Sequence, residues 1–142
     1  MGFHPYLFFS GGTCRAAFER YHEILGGQLE IMAMSDAPEG EGIPGAPADA
    51  VMHAALTIGD ALLMGSDDPT GDGGARLGMA VHYSAADDAE ATRVFAALAD
   101  GGEVSMPYGP VFWSAGFGAC TDRFGVPWMV DAGPPADADA GS

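Results

Sequence analysis

Apolar and polar positions change period along the chain, and the order of the changes repeats. Pro5 to Ser10 (PYLFFS) is a short aromatic run with the length and residue types of a strand. Thr13 then stands as a candidate N-cap, and Phe18, Tyr21 and Leu25 fall at i, i+3 and i+7, which predicts an amphipathic helix over Cys14 to Leu25. Gly26-Gly27 ends it, because glycine takes the left-handed position after a helix without a Cβ clash, and Gln28 to Met34 reads as a second strand. Asp36 to Ala50 holds three prolines and three glycines and predicts a mobile excursion with no core of its own. Val51 to Ile58 and Ala61 to Gly65 read as two strands joined by a tight turn at Gly59-Asp60.

The second half follows the same order. After a Gly- and Asp-rich loop, Ser66 to Ala75, a strand is predicted over Leu77 to Tyr83, with Ser84 as candidate cap for a helix from about Asp87 to Ala99. Val94, Phe95 and Leu98 form the apolar stripe of that helix, and Gly101-Gly102 closes it as Gly26-Gly27 closes the first. Glu103 to Met106, Pro110 to Ala119 and Phe124 to Val130 complete a second strand, helix, strand, strand, strand unit, with a hairpin across Thr121-Asp122-Arg123. The expected organisation is one domain over residues 1–131, built from units at about 4–66 and 76–131. The Pro, Ala and Asp segment 132–142 is expected to be a disordered tail.

Composition narrows the partners. At 142 residues and 48% hydrophobic content the chain suits one globular domain, and no apolar run approaches the roughly 18 residues that span a bilayer. No membrane partner is expected. The opening residues lack a basic region and cleavage site, so a cytoplasmic location is expected, with Cys14 and Cys120 as reduced, packed thiols. Twenty acidic residues against five arginines and no lysine give a formal net charge of -15. A phosphate backbone needs clustered cations, so nucleic acid is disfavoured, whereas a neutral or cationic small molecule is electrostatically welcome.

Two βαβββ units carrying Pro5-Tyr6-Leu7-Phe8-Phe9, His53 to Gly59, Leu62 to Asp67, Phe112-Trp113, Gly116-Phe117-Gly118 and Thr121 to Met129 resemble the vicinal oxygen chelate superfamily, in its PhnB-like branch. That superfamily includes glyoxalase I, extradiol dioxygenases, fosfomycin-modifying enzymes and bleomycin resistance proteins. The resemblance implies an α+β fold in which two βαβββ units form a cupped, glyoxalase-like mixed sheet, and a homodimer, since half-open sheets leave edges to pair. Some relatives carry a ubiquinone methyltransferase label. No glycine-rich motif after a strand offers a nucleotide site here. In the metalloenzymes of the superfamily four ligands come from the first and last strands of both units, which places them at Pro5 (beside His4), Leu63 or Met64, Ala80 and Met129. Proline, leucine and alanine offer no donor and a thioether is soft, so no metal or other cofactor is expected.

The candidate chemistry therefore lies elsewhere. His82 is two residues from Ala80 and shares its face by strand alternation, and His53 opens the third strand. Both are candidate catalytic residues, because imidazole serves as a general base near neutral pH, and both are also readable as hydrogen-bonded strand-end histidines. Tyr108, Phe112, Trp113, Phe117, Phe124 and Trp128 crowd into 21 residues, with Met79, Met106 and Met129 near them, a set that suits a flat or cationic ligand as well as a core. The expected ligand-binding residues are His82, Trp113, Phe117 and Met129. The expected function is small-molecule binding or sequestration of the resistance type without a metal. The alternatives are a metal-dependent lyase or dioxygenase, and a metal-free acid-base enzyme using His53 or His82.

Overall fold

The computed structural model describes residues 2–40, 45–69, 71, 76 and 78–134. The chain divides into two compact units, residues 1–74 and 75–142. The first holds β1 (Tyr6–Phe9), α1 (Cys14–Leu25), β2 (Gln28–Ala33), β3 (Val51–Ile58) and β4 (Ala61–Asp67); the second holds β5 (Val81–Ser84), α2 (Asp88–Ala99), β6 (Glu103–Val111), β7 (Ser114–Thr121) and β8 (Pro127–Asp131). Each unit forms a four-stranded mixed sheet, in the order β1-β4-β3-β2 and β5-β8-β7-β6. β1 and β4 run parallel, as do β5 and β8, and the other pairs are antiparallel. The fold is α+β, with the βαβββ unit present twice.

In each unit the helix covers one face of its own sheet. Strand alternation sends Leu7 and Phe9 of β1 to the covered face and leaves Tyr6 and Phe8 on the open one. Against them α1 buries Cys14, Ala17, Phe18, Tyr21 and Ile24. Phe18 meets Phe9 and Tyr21 edge to face, at 6.1 and 5.7 Å between ring centres. α2 buries Ala91, Val94, Phe95 and Leu98 over Val81, Trp128 and Val130. Each such large side chain removed from water stabilises its unit by about 1.5–3 kcal/mol.

Several boundaries depart from the sequence expectation. β5 begins at Val81, not Leu77, which lies outside the described residues, and Ser84 ends it rather than capping α2. Asp87 caps that helix, accepting from the Glu90 N–H at 2.8 Å. Thr13 stands at the N-cap of α1 as expected, but its side chain makes no cap bond; its hydroxyl donates to the Ser10 carbonyl, and the Cys14 N–H donates to the buried Asp67 carboxylate at 2.9 Å. Asp67 also accepts from Val51 N–H at 2.8 Å, so β4 runs two residues past the expected Gly65 into the core. β6 extends to Val111, and the expected strand over Pro110 to Ala119 is broken at Phe112-Trp113, which form the β6–β7 turn. Pro107 and Pro110 are tolerated because β6 is an edge strand with interrupted register. β8 starts at Pro127 instead of Phe124, because Asp122 to Val126 are spent on the turn.

Two segments expected to be loose are partly tied. A short 3-10 turn spans Met34–Asp36, and the Met34 and Ser35 N–H groups donate to the Ala50 and Ala48 carbonyls. Residues 41–44 of that excursion lie outside the described residues. Of the expected disordered tail, 132–134 run beside β7, with Ala132 N–H donating to Gly116 and Ala115 N–H to Gly133. Residues 135–142 lie outside the described ones.

Candidate functional site

The open face of the second sheet is set by strand alternation and register. His82 on β5 stands opposite Met129 on β8, Ser84 opposite Asp131, and Asp131 opposite Phe117 on β7. The Gly116-Phe117-Gly118 sequence explains why only the phenylalanine of that stretch projects there. A Cβ at Gly118 would sit 2.7 Å from the Phe95 ring of α2, and one at Gly116 would overlap the Tyr108 hydroxyl. The covered face therefore takes glycine, and Phe117 points the other way. Trp113, at the β6–β7 turn, lies against it at 5.5 Å and 65° between rings, and Phe112 meets Trp113 at 4.7 Å and 82°. Phe117 is consequently buried, while Trp113 stays 48% exposed and Met129 36%.

A polar trio borders this aromatic group. Asp131 accepts from Gly133 N–H at 2.8 Å through Oδ1 and from the Ser84 hydroxyl at 3.2 Å through Oδ2, which His82 Nε2 also contacts. Burial alone would push the Asp131 carboxyl up, but the Gly133 N–H, His82 and Ser84 together outweigh it and hold the group below its ordinary value of 3.8. Met106 is exposed on the neighbouring edge strand.

The structure thus brings His82, Trp113, Phe117 and Met129 to one face of the second unit. His53 belongs to the first unit, where its Nδ1 lies 3.2 Å from the Tyr6 hydroxyl and the two rings are 5.7 Å apart. Trp128 is core, its indole N–H donating to the buried Asp122 carboxylate at 2.9 Å. Tyr108 packs on Phe95 at 5.8 Å and donates to Asp88 at 2.6 Å. Asp131 and Ser84 were missed by the sequence reading. The signal was present, since each lies two residues beyond a residue already assigned to that face.

Both thiols are free and buried. Burial, reinforced by the Asp67 carboxylate, pushes Cys14 up to about 12, and burial with Asp122 pushes Cys120 up to about 11. The first unit also has a cavity of about 420 Å³ between Gly11, Gly12, Pro47 and the β4 end. Its buried carboxylate, Asp67, is already engaged by two backbone N–H groups.

The residues at the positions that the resemblance implies for metal ligands offer no fitting donor set. Pro5 precedes β1, Leu63 is buried on the helix-covered face while Met64 lies on the open one, Ala80 precedes β5, and Met129 offers only a thioether. His82 and Asp131 are bonded to each other, and among the described residues no three His, Cys, Asp or Glu side chains are placed to share an ion.

The family model described as 3-demethylubiquinone-9 3-methyltransferase matches residues 2–131. Protein YjdN from Escherichia coli K12 is 32% identical over 140 residues, covering 92% of this chain and 95% of that protein. The crystal structure of protein PA1353 from Pseudomonas aeruginosa is 47% identical with a TM-score of 0.83, covering 92% of this chain and 96% of the other. The putative 3-demethylubiquinone-9 3-methyltransferase, PhnB protein, from Bacillus cereus is 26% identical with a TM-score of 0.72, covering 92% and 98%. At the level of fold alone, a glyoxylase/bleomycin resistance protein/dioxygenase domain from Frankia sp. EAN1pec gives a TM-score of 0.61 at 13% identity, covering 94% and 98%. With the repeated βαβββ unit and these matches along nearly its whole length, the chain belongs to the PhnB-like branch of the vicinal oxygen chelate superfamily.

Proposed function

We propose that this protein binds or sequesters a neutral or cationic, partly aromatic small molecule, without a metal, on the open face of its second sheet. The observation that carries the reading is the half-exposed Trp113, packed edge to face against Phe117, on the face that also holds Met129 and the His82–Asp131 pair. Ring faces and a thioether supply apolar contact area, and the formal charge of -15 raises the local concentration of cations. Buried, protonated thiols suit a cytoplasmic setting. The proposed assembly is a homodimer whose seam includes the exposed Phe8 of the edge strand β1.

Trp113 makes the test direct, because the other tryptophan, Trp128, is buried. Titration of an aromatic amine should quench intrinsic fluorescence saturably, and Trp113→Ala, whose affinity is read by titration calorimetry, should weaken binding by roughly 1–3 kcal/mol. Unchanged affinity in that variant, with its circular dichroism intact, would overturn the reading. Elemental analysis finding a stoichiometric ion held by this chain would overturn the metal-free part.

A second reading, a metal-free acid-base enzyme, is favoured by one observation. Asp131 engages His82 Nε2, the arrangement that leaves Nδ1 to take a proton. It requires turnover that disappears in His82→Gln while ligand affinity survives.

A further inference from the structure

We propose that Asp131 selects the charge of the ligand, its carboxylate receiving the ammonium group of an arylalkylamine whose ring rests against Trp113, with His82 as the internal cap which that ammonium displaces. This rests on the reading that the open face of the second sheet is the binding surface. The three groups around the carboxylate are not equivalent. Gly133 holds Oδ1 through the backbone, and Ser84 holds Oδ2 from the paired strand β5. His82 shares Oδ2, and its side chain is 51% exposed against 14% for the carboxylate it covers. The imidazole therefore lies on the solvent side of a carboxylate fixed from the other sides, where a competing donor arrives first.

The chemistry of the opening follows from its surroundings. Among the described residues His82 is the basic partner of Asp131, so no arginine neutralises it in advance. The Tyr108 hydroxyl also lies within electrostatic reach of Asp131 and is engaged by the Asp88 carboxylate. An ammonium supplies three donors and a permanent full charge, where an imidazole offers this carboxylate one donor, so the ammonium adds Coulombic attraction and further donors at Oδ2. Asp131 stands directly opposite Phe117, a separation of about 5 Å between Cβ atoms in an antiparallel pair, so two or three methylenes join an ammonium on Asp131 to a ring against Trp113. A neutral hydroxyl in the same place forfeits the charge, and a carboxylate is repelled.

The experiment compares 2-phenylethylamine, 2-phenylethanol and 3-phenylpropionate by tryptophan fluorescence at about 0.15 M salt, where the general field of the protein is screened beyond roughly 8 Å. The wild-type protein should bind the amine about tenfold or more tightly than the alcohol and should not bind the acid. Asp131→Asn preserves the acceptor for Gly133 and removes one unit from a formal charge of -15, so it barely alters that general field. It should bring the amine-to-alcohol ratio to within about threefold. His82→Ala uncovers Oδ2 and should tighten the amine severalfold. A preference for the amine that survives in Asp131→Asn, or an amine that binds more weakly to His82→Ala, would overturn the proposal. If the alcohol binds through Trp113 and the ratio ignores Asp131, the charge-selecting role alone fails. If no probe binds in a Trp113-dependent way, the binding reading fails and takes this inference with it.

Discussion

Replacing Asp122 with alanine should destabilise the second unit and displace the β7–β8 hairpin that carries Met129 and Asp131. The carboxylate is 5% exposed and serves three donors. Oδ1 accepts from Phe124 N–H at 2.9 Å and Val126 N–H at 3.0 Å, and Oδ2 accepts from the Trp128 indole at 2.9 Å. Truncation takes the carboxylate acceptor from the buried Val126 and Trp128 donors, while the part-buried Phe124 N–H can turn to water. Each buried orphan costs about 1–3 kcal/mol, which sums to roughly 2–6 kcal/mol against a whole-domain stability of about 5–15 kcal/mol. Trp128→Phe removes the indole donor and should cost less alone; combined with Asp122→Ala it should add little, because the shared bond is already gone. Urea unfolding followed by far-ultraviolet circular dichroism measures all three variants. A loss below about 0.5 kcal/mol in Asp122→Ala, or strict additivity with Trp128→Phe, would refute the assignment of Asp122 as the organiser of this turn.

Native protein at pH 8 should leave both thiols unmodified by a disulfide reagent and yield two per chain in denaturant, since Cys14 and Cys120 are free, buried and raised to about 12 and 11; rapid native labelling would contradict this. Asp131 has a folded carboxyl held below its ordinary 3.8, so its stabilisation is present above about that pH and is lost as the pH falls through the lower folded value. The stability difference between wild type and Asp131→Asn should therefore shrink on acidification below pH 3.8, and a constant difference would contradict it. Light scattering at micromolar concentration should find a dimer that Phe8→Glu dissociates and that added salt strengthens by screening the net charge; a 14.5 kDa particle in wild type would count against the β1 seam.

The repeat was legible because it is written in periodicity. α1 begins at Cys14 and ends at Leu25, as its 3.6-residue stripe and the following glycines require. β3 and the Gly59-Asp60 turn were equally readable, Gly59 having φ +56°. What stayed hidden depends on contacts distant in sequence. Nothing local reveals that the Cys14 N–H is served by Asp67, 53 residues away, while the side chain of the N-cap residue Thr13 turns back to Ser10. Phe112-Trp113 continue an apolar run, and only the register of an edge strand carrying two prolines puts them in a turn. For the site, alternation from Ala80 puts His82 on the open face, but Asp131 falls one residue past the strand predicted over Phe124 to Val130, next to the expected tail. Its pairing with Ser84 joins strands that are 47 residues apart.

The central claim is that the open face of the second sheet takes the ligand, and methyl and indole NMR tests it most directly. The Met129 methyl and the Trp113 indole N–H should shift saturably, with a single dissociation constant, as 2-phenylethylamine is added. Trp128, buried and bonded to Asp122, should stay in place. A still Met129 signal, or saturable shifts confined to Met32 and Met64 of the first sheet, would contradict the account.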